Sequence, residues 1–253
     1  MNLFYRTVGE GSPLIILHGL FGSSDNWLTH ARELGQKHKV YLVDQRNHGA
    51  SPHDDEFTYE MMVEDLRRFI KQHDLIRPDI LGHSMGGKVA MLFAAKYPDQ
   101  IDRLIVVDIA PKFYPVHHNV ILEGLKAIPV KELTSRQEAD EKLSEYVSLP
   151  AVRQFLLKNL KRADGGFAWK MNLEVIYEHI SNVGNGLEDD QTFEHETLFI
   201  RGSESDYIED SDIPDLDAHF PKNHLVTIHG ASHWVHVEEP EQLLEAIRVF
   251  LDH

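Results

Sequence analysis

Residues 80–91 read Ile-Leu-Gly-His-Ser-Met-Gly-Gly-Lys-Val-Ala-Met, and this stretch constrains the fold more than any other. A short apolar run leads into Gly82-x-Ser84-x-Gly86, and a helical pattern follows through Val89, Ala90, Leu92 and Phe93. The pattern predicts a strand, a very tight turn and a helix, with Ser84 at the apex. Lifting the serine Oγ out of a sheet requires a strained, positive-φ backbone at Ser84. Strand and helix then pass so closely that only hydrogen fits as the side chain of Gly82 and Gly86. The helix N-terminus below the hydroxyl directs partial positive charge at any anion forming there. Ser84 is therefore the candidate nucleophile.

Around this turn, strands and helices alternate. Leu3 to Val8 reads as a strand and Gly9-Glu10-Gly11-Ser12 as a hairpin-type turn. Pro13–Leu17, Val40–Asp44 and Leu104–Asp108 are continuous apolar runs, as expected of strands buried on both faces of a parallel sheet. Between them, Thr58 can cap a helix that places Met62, Val63, Leu66, Phe69 and Ile70 on one face. The expectation is an α/β chain with a mostly parallel, doubly wound central sheet. The rhythm breaks at Pro111. From there to about Leu187 only helical patterns stand out, and such an insertion after a strand end is placed to cover the active-site edge. The sheet resumes at Thr197–Ile200 and Leu225–Ile228, and a last helix runs from Pro240 to Leu251.

Composition narrows the function classes. A length of 253 residues with 42% hydrophobic content supports a full core, and the net charge of −16 argues against a nucleic-acid partner. No apolar run is long enough for a membrane span, and the first residues lack a signal-peptide pattern. The absence of cysteine excludes thiolate catalysis and fits a reducing, cytoplasmic setting. Seventeen histidines invite a metal reading, above all His117-His118, but no coherent ligand spacing accompanies them. They are expected mainly at the surface, with neither metal nor organic cofactor.

A serine hydroxyl needs a base to take its proton, and the base needs an acid to hold its tautomer. His233, in Gly230-Ala231-Ser232-His233-Trp234 beyond the last strand, is the candidate base, whereas His236 is expected to start the last helix or face solvent. Two aspartates at strand ends compete as the acid, Asp108 and Asp206. The loop His18-Gly19-Leu20-Phe21-Gly22, at the end of a central strand, can offer backbone N–H groups to a ligand.

Together, His18-Gly19, Asp44-x-Arg46-x-x-Gly49-x-Ser51, Gly82-x-Ser84-x-Gly86-Gly87 and Gly-x-x-His233 resemble the α/β-hydrolase superfamily over nearly the whole chain. Longer words, including Arg46-Asn47-His48-Gly49, Asp108-Ile109-Ala110-Pro111 and Ser232-His233-Trp234-Val235-His236, resemble the bacterial YbfF-type esterases. The resemblance implies an α/β-hydrolase fold with a helical cap inserted after the sixth strand. It divides the chain into core (1–110), cap (111–190) and core (191–253). It also implies Ser84 as nucleophile, His233 as base and the backbone N–H groups of Leu20 and Met85 as an oxyanion hole. The superfamily's usual acid position, three residues after Gly202, holds Ser205, with Asp206 one step late. The YbfF-like pattern places the acid at Asp108, with Ser205 able to relay a hydrogen bond between Asp108 and His233. The implied activity is hydrolysis of short- to medium-chain carboxylic esters, with acyl-CoA thioesters as a second class. The expected partner is thus a small molecule, and the expected assembly a monomer or small homo-oligomer. Rival readings on the same scaffold are a carbon–carbon bond hydrolase, a peptidase or a non-catalytic binding protein.

Overall fold

The computed structural model describes residues 1–115 and 118–252, so His117 of the His117-His118 pair lies outside the described residues. The strands are β1 (Tyr5–Val8), β2 (Ser12–Leu17), β3 (His38–Val43), β4 (Asp79–His83), β5 (Leu104–Val107), β6 (Leu160–Ala163), β7 (Gly166–Trp169), β8 (Thr197–Gly202) and β9 (Asn223–Ile228). Helices α1 (Leu28–Leu34), α2 (Tyr59–Gln72) and α3 (Met85–Lys96) lie between the early strands. Then come α4 (Asn119–Ala127), α5 (Arg136–Ser144), α6 (Pro150–Leu157) and α7 (Leu173–Glu178), followed by α8 (Ile213–His219), α9 (Val235–Glu238) and α10 (Pro240–Leu251). Seven strands form one sheet in the order β1-β3-β2-β4-β5-β8-β9, parallel except for β1.

Continuous apolar strands feed both faces of this sheet. Ile15, Leu17, Ile80, Val106 and Phe199 pack on one side with Met62, Leu66 and Phe69 of α2 and Val89 and Phe93 of α3. Leu14, Ile16, Leu81, Val107 and Ile200 pack on the other with Leu34 of α1 and Leu243 and Ile247 of α10. Each such side chain removed from water contributes about 1.5–3 kcal/mol before chain entropy is charged against it. Thr58 caps α2 as expected, its Oγ1 accepting from Met61 N–H at 3.3 Å. Among the described residues no helix is long and apolar enough to cross a membrane.

The structure corrects three expectations. The Gly9–Ser12 turn does not make a hairpin, because β1 pairs antiparallel with β3, which lies between it and β2. Backbone crowding explains the two glycines: a Cβ on Gly9 would lie 2.1 Å from Gly35 O, and one on Gly11 2.3 Å from Lys37 O. The insertion follows the fifth strand of this chain rather than the sixth, since only β1 to β5 precede it. Finally, the insertion is not all helical, because β6 and β7 form an antiparallel ribbon turning at Asp164-Gly165, with Gly165 at φ +79°. An Asp-Gly pair is a strong hairpin signal, masked here by an apolar run through Phe155, Leu156 and Leu160 that matches helical spacing.

Candidate active site

All the parallel strands end at one edge of the sheet, and the loops leaving that edge build the site. β4 ends directly at Ser84, whose φ of 51° and ψ of −119° give the strained turn expected. A Cβ on Gly82 would lie 2.2 Å from Gly86 O, and one on Gly86 2.4 Å from Leu17 O. Thus Gly86 lets α3 sit against the end of β2, and Ser84 is half-buried within an otherwise buried segment. Next to it, β5 ends at Asp108, also at positive φ, 52°. Its amide bonds Ile200 O at 2.7 Å, which fixes the side chain at the mouth of the sheet.

His233 returns from the far end of the chain to meet both. Its Nε2 lies 3.0 Å from Ser84 Oγ and its Nδ1 2.8 Å from Asp108 Oδ2. With Nδ1–H donating to the carboxylate, Nε2 is free to accept the serine proton. The Asp108 carboxylate is fully buried. Its Oδ1 accepts from Gly202 N–H at 3.0 Å and its Oδ2 also accepts from Ser205 Oγ–H at 2.5 Å. Ser205 does not stand between Asp108 and His233, as a relay would require. Asp108 reaches the imidazole directly, and Ser205 braces its carboxylate from the side. Asp206 is exposed.

The loop after β2 is held by neutral imidazoles. His18 Nδ1–H donates to Gly19 O at 2.8 Å, and its Nε2 accepts from Gln45 N–H at 3.0 Å. His48 Nδ1–H donates to Arg46 O at 2.9 Å, and its Nε2 accepts from Phe21 N–H at 3.1 Å. Burial drives His18 down to about 4 and His48 to about 3, so both stay uncharged. The Phe21 amide is held by His48 and the Gly22 amide by Gly19 O at 2.9 Å, and Gly19 packs against the serine turn, where a Cβ on it would lie 3.3 Å from Ser84 Cβ. Met85 is the first residue of α3, where an N–H has no acceptor within the helix.

Sequence reasoning missed the groups behind His233. His83 Nε2–H donates to His233 O at 3.0 Å, tying the His233 loop to the serine strand. The ring of Tyr207 stacks on His233 with centroids 3.8 Å apart. His236 neither starts the last helix nor faces solvent. It is buried in α9, stacked on Trp27 at 4.8 Å and 4.7 Å from the His83 ring. The histidines are therefore not mainly a surface population: His18, His30, His38, His48, His83, His219 and His236 are all buried. For three of them the sequence carried a signal, with His18 beside Gly19, His83 beside Ser84 and His236 two residues after Trp234. Among the described residues no cluster could hold a metal ion.

Two cavities meet at Ser84. The larger, of about 360 Å³, is lined by Leu20, Phe21, His233, Trp234 and insertion residues including Ile121 and Val147. The smaller, of about 20 Å³, is lined by Tyr59, Met85, Ile109, Tyr114, Ile180 and Val183, among others. Of the other aromatics of the insertion, Phe113 and Tyr177 are exposed, and Phe155 packs behind Trp234 at 4.5 Å. Arg46 and Lys88 are anchors rather than ligand cations. Arg46 Nε donates to Asp65 Oδ2 at 2.7 Å, and Lys88 Nζ to Pro111 O at 3.0 Å and to Lys112 O.

Comparison with known proteins agrees with this fold. Residues 12–240 match the model of the alpha/beta hydrolase fold family. The chain is 38% identical to the esterase YbfF of Escherichia coli, covering 96% of this chain and 94% of that one. It is 39% identical to the sn-1-specific diacylglycerol lipase ABHD11 of Danio rerio, over 99% and 83% respectively. A solved esterase from a marine microorganism superposes with a TM-score of 0.96 at 46% identity, over 98% of this chain and 99% of that one. The chain belongs to the α/β-hydrolase fold family and is similar to its esterases and lipases.

Proposed function

We propose that the protein is a serine hydrolase that cleaves carboxylic esters through an acyl-enzyme on Ser84. The observation that carries this reading is the continuous line from Ser84 Oγ through His233 to the buried carboxylate of Asp108, with contacts of 3.0 and 2.8 Å. In the first step Ser84 Oγ attacks the ester carbonyl while His233 Nε2 takes its proton. The resulting imidazolium is stabilised by Asp108, which Gly202 N–H and Ser205 Oγ–H hold in place. The oxyanion lies between the amides of Leu20 and Met85. These donors are fixed before charge develops, and each is worth about 2–4 kcal/mol of barrier. His233 then protonates the departing alcohol, and water repeats the sequence on the acyl-enzyme.

Short- to medium-chain esters suit the apolar cavities, and thioesters offer the same electrophile. The insertion over 111–190 acts as the cap, and the setting is cytoplasmic. A fluorophosphonate probe tests the reading. One equivalent should attach to Ser84, and Ser84→Ala should abolish both labelling and ester turnover. Labelling that survives Ser84→Ala, or folded protein that does not label, would favour a binding protein on this fold.

A further inference from the structure

We propose that the two cavities meeting at Ser84 divide the substrate unequally. The small one receives the acyl group and limits it to about acetyl or propionyl, and the large one receives the alcohol. This rests on the ester-hydrolase reading above and names the substrate class that the site selects: short acids esterified to large apolar alcohols.

Proton transfer sets the direction. The proton that His233 takes from Ser84 must next reach the oxygen of the leaving group, so that oxygen has to face the imidazole. His233 lines the larger cavity and not the smaller. With the alcohol on that side, the remaining substituent of the carbonyl carbon points the other way, into the chamber of Tyr59, Met85, Ile109, Tyr114, Ile180 and Val183.

The size of that chamber sets the limit. A cavity of about 20 Å³ is close to the minimum that holds one water-sized group. Two of its walls are fixed by hydrogen bonds between core and insertion, so turning Tyr59 or Tyr114 does not widen it. Tyr59 Oη–H donates to Val183 O at 2.7 Å. Ala110 N–H donates to Tyr114 Oη at 2.9 Å, and that hydroxyl donates in turn to Tyr207 O. Gly184 sits so close that a Cβ would lie 2.2 Å from Tyr114 O. Lys88, buried beneath the start of the insertion, holds Pro111 O and Lys112 O. The larger cavity is the opposite case. Its rim carries Leu149, 63% exposed, and Tyr146, 38% exposed, so a long alcohol chain can run outward along an apolar edge.

Two ester series on the wild-type protein test this. With p-nitrophenol as the fixed alcohol, kcat/KM should fall by about 10-fold for each methylene beyond propionyl, the usual penalty for a group a rigid apolar pocket cannot hold. With acetate as the fixed acid, kcat/KM should hold or rise from butyl through octyl to dodecyl alcohol. Octanoate matching or exceeding acetate in the first series overturns the assignment, as does a steady fall in the second. Val183→Ala and Ile180→Ala should each raise the butyrate-to-acetate ratio by about 10-fold; a ratio unchanged in both overturns it too. Labelling of Ser84 by an ethyl fluorophosphonate separates the two layers. Label without the chain-length break removes only the division of the substrate, whereas no label removes the ester-hydrolase reading with it.

Discussion

Acidification should unfold this protein well above the pH at which its carboxylates titrate, because five buried histidines must stay neutral to keep their places. Burial pushes His18 and His30 down to about 4, His48 and His83 to about 3, and His236 well below its ordinary value. In the unfolded chain each titrates near 6.5. Between about pH 6.5 and 4 the unfolded state therefore binds more protons than the folded state, and stability rises with pH. It is fully present above pH 6.5 and is lost as pH falls through that window. One such histidine with a pKa of about 3 to 4 costs roughly 2 kcal/mol at pH 5, so His18, His30, His48 and His83 cost roughly 8 kcal/mol, as much as many domains possess, and His236 acts in the same direction. Urea unfolding measured from pH 8 to pH 4.5 should lose at least roughly 5 kcal/mol between pH 6 and pH 5, with about four or more protons taken up on unfolding. His30 is the control, because neither ring nitrogen has a partner. His30→Leu should remove one proton from the uptake without breaking a hydrogen bond. An unfolding free energy at pH 5 equal to that at pH 7 refutes the reasoning.

Three further substitutions separate the parts of the site. Asp108→Asn should lower kcat by roughly 10³–10⁴-fold through loss of the imidazole's tautomer and orientation, while exposed Asp206→Asn should stay within about 2-fold. The reverse pattern in steady-state kinetics would move the acid to Asp206. His48→Phe leaves Phe21 N–H without its acceptor and loosens the loop that carries the Leu20 amide. It should reduce kcat by about 10–100-fold, approaching the loss of one oxyanion donor, with KM changing far less; a KM effect alone would show that the loop binds rather than stabilises charge.

Much of this arrangement is legible in the sequence because its causes are local. Gly82 and Gly86 flank Ser84 because two backbones touch there, and the apolar runs of β2, β4 and β5 read as buried strands because both their faces are covered. The position of Asp108 came from the resemblance to known esterases. The geometry adds its physical basis, a positive-φ strand end that turns the carboxylate toward His233. What sequence reasoning could not see is long-range. Nothing near Tyr5 specifies that β3, rather than β2, will be its partner. Nothing near His236 specifies the indole of Trp27 that stacks on it from more than two hundred residues away. The β6–β7 ribbon was hidden for a different reason, since Leu160 falls at both helical and strand spacing from its apolar neighbours.

Ser84 is either acylated during turnover or it is not, and rapid-quench mass spectrometry with p-nitrophenyl acetate decides it. The expected result is a burst of one p-nitrophenol per chain, with one acetyl group on the peptide that contains Ser84. Turnover that proceeds with no acetyl group on that peptide, or that persists in Ser84→Ala, contradicts it.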